Sequence, residues 1–143
     1  MKLFTIGFTK TTAHGFFSRI KDAGVERILD VRLNNVSQLS GFAKRDDLKY
    51  FAAELCGADY EHLRELAPEK SILDEYKKNK GSWEKYEEKF HALMVKRRIE
   101  DFDRGKFDNG CLLCSEDKPH NCHRRLVAEY LQQYWDNLEV IHL

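Results

Sequence analysis

The chain's 143 residues are enough for one domain with a buried core, and 42% hydrophobic against 34% charged residues fits a globular protein. Basic and acidic residues number 24 each, so no overall charge draws the chain to nucleic acid. No apolar run reaches the roughly 18 residues of a membrane span, and the opening MKLFTIGF is interrupted too early for a signal peptide, so a cytoplasmic protein without a membrane partner is expected.

Short apolar runs alternate with helical patterns along the whole chain. Residues 2–8 read as a strand. Thr12 then caps a helix whose apolar face is Phe16, Phe17, Ile20 and Ala23, ended by Gly24. Residues 26–32 (ERILDVR) form a second strand. Asp46 or Asp47 opens a helix carrying Leu48, Phe51, Ala52 and Leu55 on one side, stopped by Gly57. A weaker third strand covers 59–63, and a short helix lies near 71–79. A long helix is predicted from Ser82 to about Asp103, with Trp83, Tyr86, Phe90, Leu93 and Met94 facing inward. Its acids Glu84, Glu87 and Glu88 suit a helix start, and the basic run 95–98 suits a solvated helix end. Residues 110–116 form a fourth strand and 122–135 a helix with Leu126, Val127, Tyr130, Leu131 and Tyr134 on one face. Residues 138–143 close the chain as a fifth strand. The alternation implies one three-layer α/β domain over 1–143, a mostly parallel sheet of about five strands flanked by helices.

In such sheets ligands bind beyond the carboxyl ends of the strands. Gly7, Asp30, Arg32, His62, Cys114, Glu116 and His142 all fall at predicted strand ends. Asp30 and Arg32 are two residues apart and share a sheet face, so Arg32 is the nearest partner for a buried carboxylate. The last helix begins with Cys122, His123 and Arg124, behind Asn121 as an expected N-cap. His123 points toward the sheet with Leu126, Val127 and Tyr130, and Arg125 toward solvent. Free N–H groups at that helix start, with Arg124, suit a phosphate or carboxylate ligand.

The stretch 111–125 (CLLCSEDKPHNCHRR) holds three cysteines and two histidines. Cys111 and Cys114 have zinc-knuckle spacing, but in a strand residues i and i+3 face opposite sides. Cys122 and His123 are neighbours, which a helix turns about 100° apart. No metal or cofactor is therefore assigned; a three-ligand site from Cys114, Cys122 and His123, with Asp30 or water as the fourth ligand, and zinc held for stability stay as alternatives. A thiol at a helix N-terminus beside His and Arg has a lowered pKa, which makes Cys122 a candidate nucleophile, and Cys114 another if its strand end meets the helix. Packing in the core is the competing use of both thiols. Cys56 and Cys111 read as structural.

On these residues the chain resembles the family called domain of unknown function 488, nearly end to end. FTIGF is similar to the family's opening strand, ILDVR to its Asp-Val-Arg signature, LLCSEDKPHNCHRRLVAEYL to its Cys-x-Glu…Cys-His-Arg signature, and VIHL to its closing strand. The resemblance implies an α/β fold and marks Asp30, Arg32, Cys114, Glu116, Cys122, His123 and Arg124 as signature positions, with no established reaction. Two features depart from the family. Phe8 stands where many members have His, and Asn35-Val36-Ser37-Gln38 replaces Pro-x-Ser-Arg. The site is therefore less basic, and Asn34, Asn35, Ser37 and Gln38 offer neutral hydrogen-bonding groups instead. Lys44 and Arg45 lie close by for an extended anion.

The expected function is an enzyme acting on an anionic, phosphorylated substrate such as a nucleotide or nucleic-acid end. Arg32, Arg124 and Ser37 would bind the anion, Cys114 or Cys122 would act as nucleophile or acid, and His123 would carry the proton. Asp30 and Glu116 would orient them. The alternatives are a module that binds nucleotide or nucleic acid without changing it, and a zinc-stabilised protein.

Overall fold

A computed structural model of the chain describes residues 1–36 and 40–143. Five strands, β1 (Lys2–Ile6), β2 (Arg27–Asp30), β3 (Asp59–His62), β4 (Gly110–Leu113) and β5 (Glu139–His142), form one parallel sheet in the order β3-β2-β4-β1-β5. Side chains alternate across it as a period of two demands. Phe4, Ile6, Ile28, Cys111 and Leu113 pack on one face; Leu3, Leu29 and Leu112 pack on the other. The predicted parallel α/β architecture is what the chain adopts.

Helix α1 (Ala13–Ala23) covers the first face with Phe16, Phe17 and Ile20. Thr12 caps it by accepting from the Gly15 N–H, and Gly24 ends it at φ 74°. Helix α2 (Arg45–Phe51) adds Leu48 and runs into a wider π-helical turn, Ala52–Cys56, before Gly57 reverses the chain at φ 63°. It starts at Arg45, earlier than the aspartates suggested, with Lys44 at the cap position making no side-chain capping bond. Helix α3 (Lys70–Lys77) packs on α4 (Trp83–Arg97) through Tyr76, Trp83 and Tyr86. With α6 (His123–Tyr134), α4 buries the opposite sheet face.

The long predicted helix is broken. It stops at Arg97, followed by a 3-10 turn (Ile99–Asp101) and a short helix, α5 (Arg104–Phe107). The break is a left-handed residue, Arg98 at φ 53° and ψ 51°, whose N–H bonds the carbonyls of Met94 and Val95. Glycine usually takes that position, so nothing in the residue type announced the stop. The turn lets Ile99 and Phe107 fold back into the core.

A non-glycine residue pays conformational strain in this region. Arg98→Gly is therefore expected to raise stability by up to about 1 kcal/mol in urea unfolding, because the Arg98–Asp101 ion pair it removes is exposed and contributes little.

Candidate functional site

Strand β1 sends its chain to α1 on one face, whereas its neighbour β4 leads to α6 on the other. A crevice must open beyond the carboxyl ends where the connections diverge. A cavity of about 230 Å3 lies in this region, lined by Cys114, Cys122, His123, Arg32, Lys77 and Glu116 among others.

Gly7 brings the segment after β4 close to the sheet. A Cβ at Gly7 would stand 1.6 Å from the Glu116 carbonyl oxygen, so only glycine allows the two backbones to pass. Arg124, fully buried on α6, donates through Nη1 to that same carbonyl at 2.6 Å and through Nε to Thr5 Oγ1 at 3.4 Å. Arg124 thus ties α6, the Glu116 segment and β1 together. These bonds make it a positioning group for the segment after β4.

Asp30 is fully buried at the end of β2. Arg32 Nε donates to Asp30 Oδ1 at 2.9 Å and Nη2 to Oδ2 at 2.8 Å, a bidentate pair. Tyr60 donates its hydroxyl to the same carboxylate, and Asn35 Nδ2 donates to Tyr60 at 3.0 Å. Burial weighs against the Arg32 charge, yet the Asp30 hydrogen bond and charge hold its pKa above the ordinary arginine value. Arg32 Nη2 also reaches the Ala43 carbonyl, but Nη1 is buried without a hydrogen-bond partner among the described residues. His62 Nε2 donates to the Arg32 carbonyl at 2.7 Å, which fixes the backbone there.

The thiols converge from two elements. Cys114 follows β4 on the α6 face of the sheet, and Cys111 lies on the opposite face in the other apolar cluster. Cys114 Sγ is 3.6 Å from His123 Nδ1. His123 Nε2 is 2.6 Å from the Val31 carbonyl, which can only accept, so Nε2 carries a proton and, in the neutral ring, Nδ1 faces the sulfur with its lone pair. Helix α6 starts one residue later than expected: Cys122 takes the cap position in extended backbone, φ −133° and ψ 139°, and makes no side-chain capping bond. The two thiols also divide roles differently from the expectation. A hydrogen bond from Cys122 holds Cys114 below the usual thiol range, helped by the Ser115 N–H and opposed by burial. The same bond, together with burial, pushes Cys122 upward.

Residues 12–131 match the family described as Domain of unknown function DUF488. The chain belongs to that family. No curated protein matches it, and no solved structure does. The structure brings the DUF488 signature positions Arg32, Cys114, Glu116, Cys122 and His123 to one cavity, with Asp30 behind Arg32 and Arg124 behind Glu116. Ser37 lies outside the described residues. Phe8, at the position where DUF488 members often carry His, stacks under the Arg32 guanidinium at 5.2 Å.

Sequence reasoning missed two parts of the site. Lys77 on α3 pairs with Glu116 Oε1 at 3.0 Å, and a wall of Tyr76, Trp83 and Tyr86 lines the cavity, the last two stacked at 4.9 Å. Helical spacing marked Trp83 and Tyr86 as core, and no local signal ties a lysine forty residues upstream to the Cys-x-Glu stretch.

Three substitutions separate these contributions in urea denaturation. Gly7→Ala is expected to cost at least about 2 kcal/mol, since backbone must move to admit the methyl. Asp30→Asn should cost about 3–5 kcal/mol by leaving Arg32 buried without its counter-charge. Tyr60→Phe, which removes one hydrogen bond to a carboxylate, should cost only about 1–3 kcal/mol.

Proposed function

We propose that this DUF488 chain is an enzyme acting on a small anionic substrate through Cys114. The observation that carries this reading is the Cys114–His123 contact in a cavity, with the imidazole tautomer set by the Val31 carbonyl. A nucleophile, a base within reach and a group orienting the base make up the working set of thiol catalysis. In that chemistry His123 Nδ1 takes the thiol proton, Cys114 Sγ bonds to the electrophilic atom of the substrate, and the proton passes to the departing group.

The anion is assigned to Arg32 and Lys77. Arg32 Nη1 has no hydrogen-bond partner among the described residues, and Lys77 brings a second positive charge to the rim beside Glu116. Phosphate or carboxylate suits a guanidinium in this position. The aromatic wall of Tyr76, Trp83 and Tyr86 favours a substrate with a planar ring, which points to a nucleotide or nucleic-acid end. Asp30 aims Arg32, and Glu116 aims Lys77. A reducing compartment such as the cytoplasm suits this use, because all four cysteines are free. No helix among the described residues is long and apolar enough to cross a membrane.

Paired electrophiles of opposite charge character test the reading, with chelator present throughout. Cys114 should react with anionic iodoacetate at least as fast as with neutral iodoacetamide, the reverse of an ordinary thiol, as followed by peptide mass spectrometry. Lys77→Gln should lower that preference about threefold to tenfold, the effect of losing roughly 1 kcal/mol of screened attraction. Nucleoside monophosphate should protect Cys114. Protection without any turnover across phosphorylated substrates would make the chain a binding module, and an inert Cys114 would end the thiol reading.

A further inference from the structure

We propose that Cys114, Cys122 and His123 form a binding site for a divalent cation of the zinc type, with the fourth coordination position open to the cavity. The Sγ atoms of both cysteines and a ring nitrogen of His123 all lie within 4.8 Å of one another, and all three residues are buried. A tetrahedral zinc with bonds of about 2.3 Å to sulfur and about 2.05 Å to nitrogen needs ligands roughly 3.5–3.8 Å apart. Cys114 Sγ and His123 Nδ1 already stand at 3.6 Å.

The histidine is set up as a ligand. Its Nε2–H is spent on the Val31 carbonyl, so Nδ1 offers a lone pair in a ring that cannot swing. A backbone carbonyl behind a ligating imidazole is the usual outer support of a metal site. Phe90 packs edge-on to the same ring at 5.5 Å and holds it from the other side.

The sequence-level objection was that neighbouring helical residues diverge by about 100°. That objection fails for a structural reason: Cys122 is not helical. Its extended backbone at the cap turns the side chain back toward the ring of His123 and the end of β4. Cys111 takes no part, since it faces the other apolar cluster.

Two thiolates and an imidazole make a soft donor set that suits zinc and not magnesium or calcium. A divalent cation also neutralises two thiolates that could not both ionise in a buried site alone. Three protein ligands beside an open cavity resemble a reactive centre and not a closed structural one.

This inference does not rest on thiol attack. A bound cation holds Cys114 as a ligand and withdraws it as a nucleophile, so the metal-free and metal-loaded chains are two chemical states of one site.

Cobalt(II) titration of the chelator-stripped full chain tests it, with circular dichroism confirming the fold of every variant. One cobalt per chain is expected, with the intense visible bands of tetrahedral thiolate coordination, bleached by zinc. Cys122→Ser and His123→Gln should each weaken binding at least about tenfold, the scale on which losses around a metal site are felt, and Cys56→Ser should leave it unchanged. Absence of the bands in folded protein overturns the site, as do bands that survive both substitutions. Alkylation of the stripped chain separates the two ideas. A reactive Cys114 without cobalt binding leaves only the thiol enzyme standing, whereas cobalt binding with an inert Cys114 leaves only the metal site.

Discussion

The close passage of the Glu116 carbonyl over Gly7 is the constraint from which the site follows. Backbone N–H groups of Phe8 and Thr9 donate to the Ser115 carbonyl, and Arg124 donates to the Glu116 carbonyl from behind. Together these bonds fold the segment after β4 across the end of β1 and return the chain to α6 at a fixed height. Cys114 and the Cys122–His123 pair, eight and nine residues further along, then meet over the same end of the sheet. A side chain at position 7 would push this crossing away, and the cavity would lose its Cys114–His123 contact together with its Lys77–Glu116 rim.

A second constraint lies one strand over. A buried ion pair adds little net stability, because desolvating both charges offsets their attraction. The Asp30–Arg32 pair is better understood as a device for aiming. Its bidentate geometry, the Tyr60 hydroxyl, the Ala43 carbonyl and the Phe8 ring hold the guanidinium in place. Nη1 is the one guanidinium nitrogen left buried without a hydrogen-bond partner among the described residues. Phe8 also gives a physical account of this chain's departure from the usual family residue. An aromatic face supports the cation by its quadrupole without competing for Asp30.

The two chemistries proposed for Cys114, thiol attack and metal ligation, need the same preparation. A nucleophile and a soft metal ligand each require a thiolate, a nearby imidazole lone pair and little water. The hydrogen bond from Cys122 and the backbone support of His123 provide these for either use. Arg124, the most deeply buried cation of the signature, serves neither directly; it keeps the loop where both become possible.

Much of the architecture was legible in the residues themselves. Strand runs such as RILD and GCLL, the Thr12 cap and the Gly24 and Gly57 stops carry local signals that no tertiary contact overrides. The strand-end positions of Asp30, Arg32 and Cys114, and the pairing of Asp30 with Arg32, follow from periodicity and from the cost of an unpartnered buried charge. The break at Arg98 was invisible, since a left-handed arginine carries no signature of its own. Only the tertiary structure decided that the two thiols shift in opposite directions, that Arg124 holds the Glu116 carbonyl, and that Lys77 and the aromatic wall line the same cavity. Each of those depends on distances between segments far apart in the chain. The extended backbone of Cys122 was hidden for a local version of the same reason. A cap residue belongs half to the helix and half to the loop, and the crossing at Gly7 determines how that loop arrives.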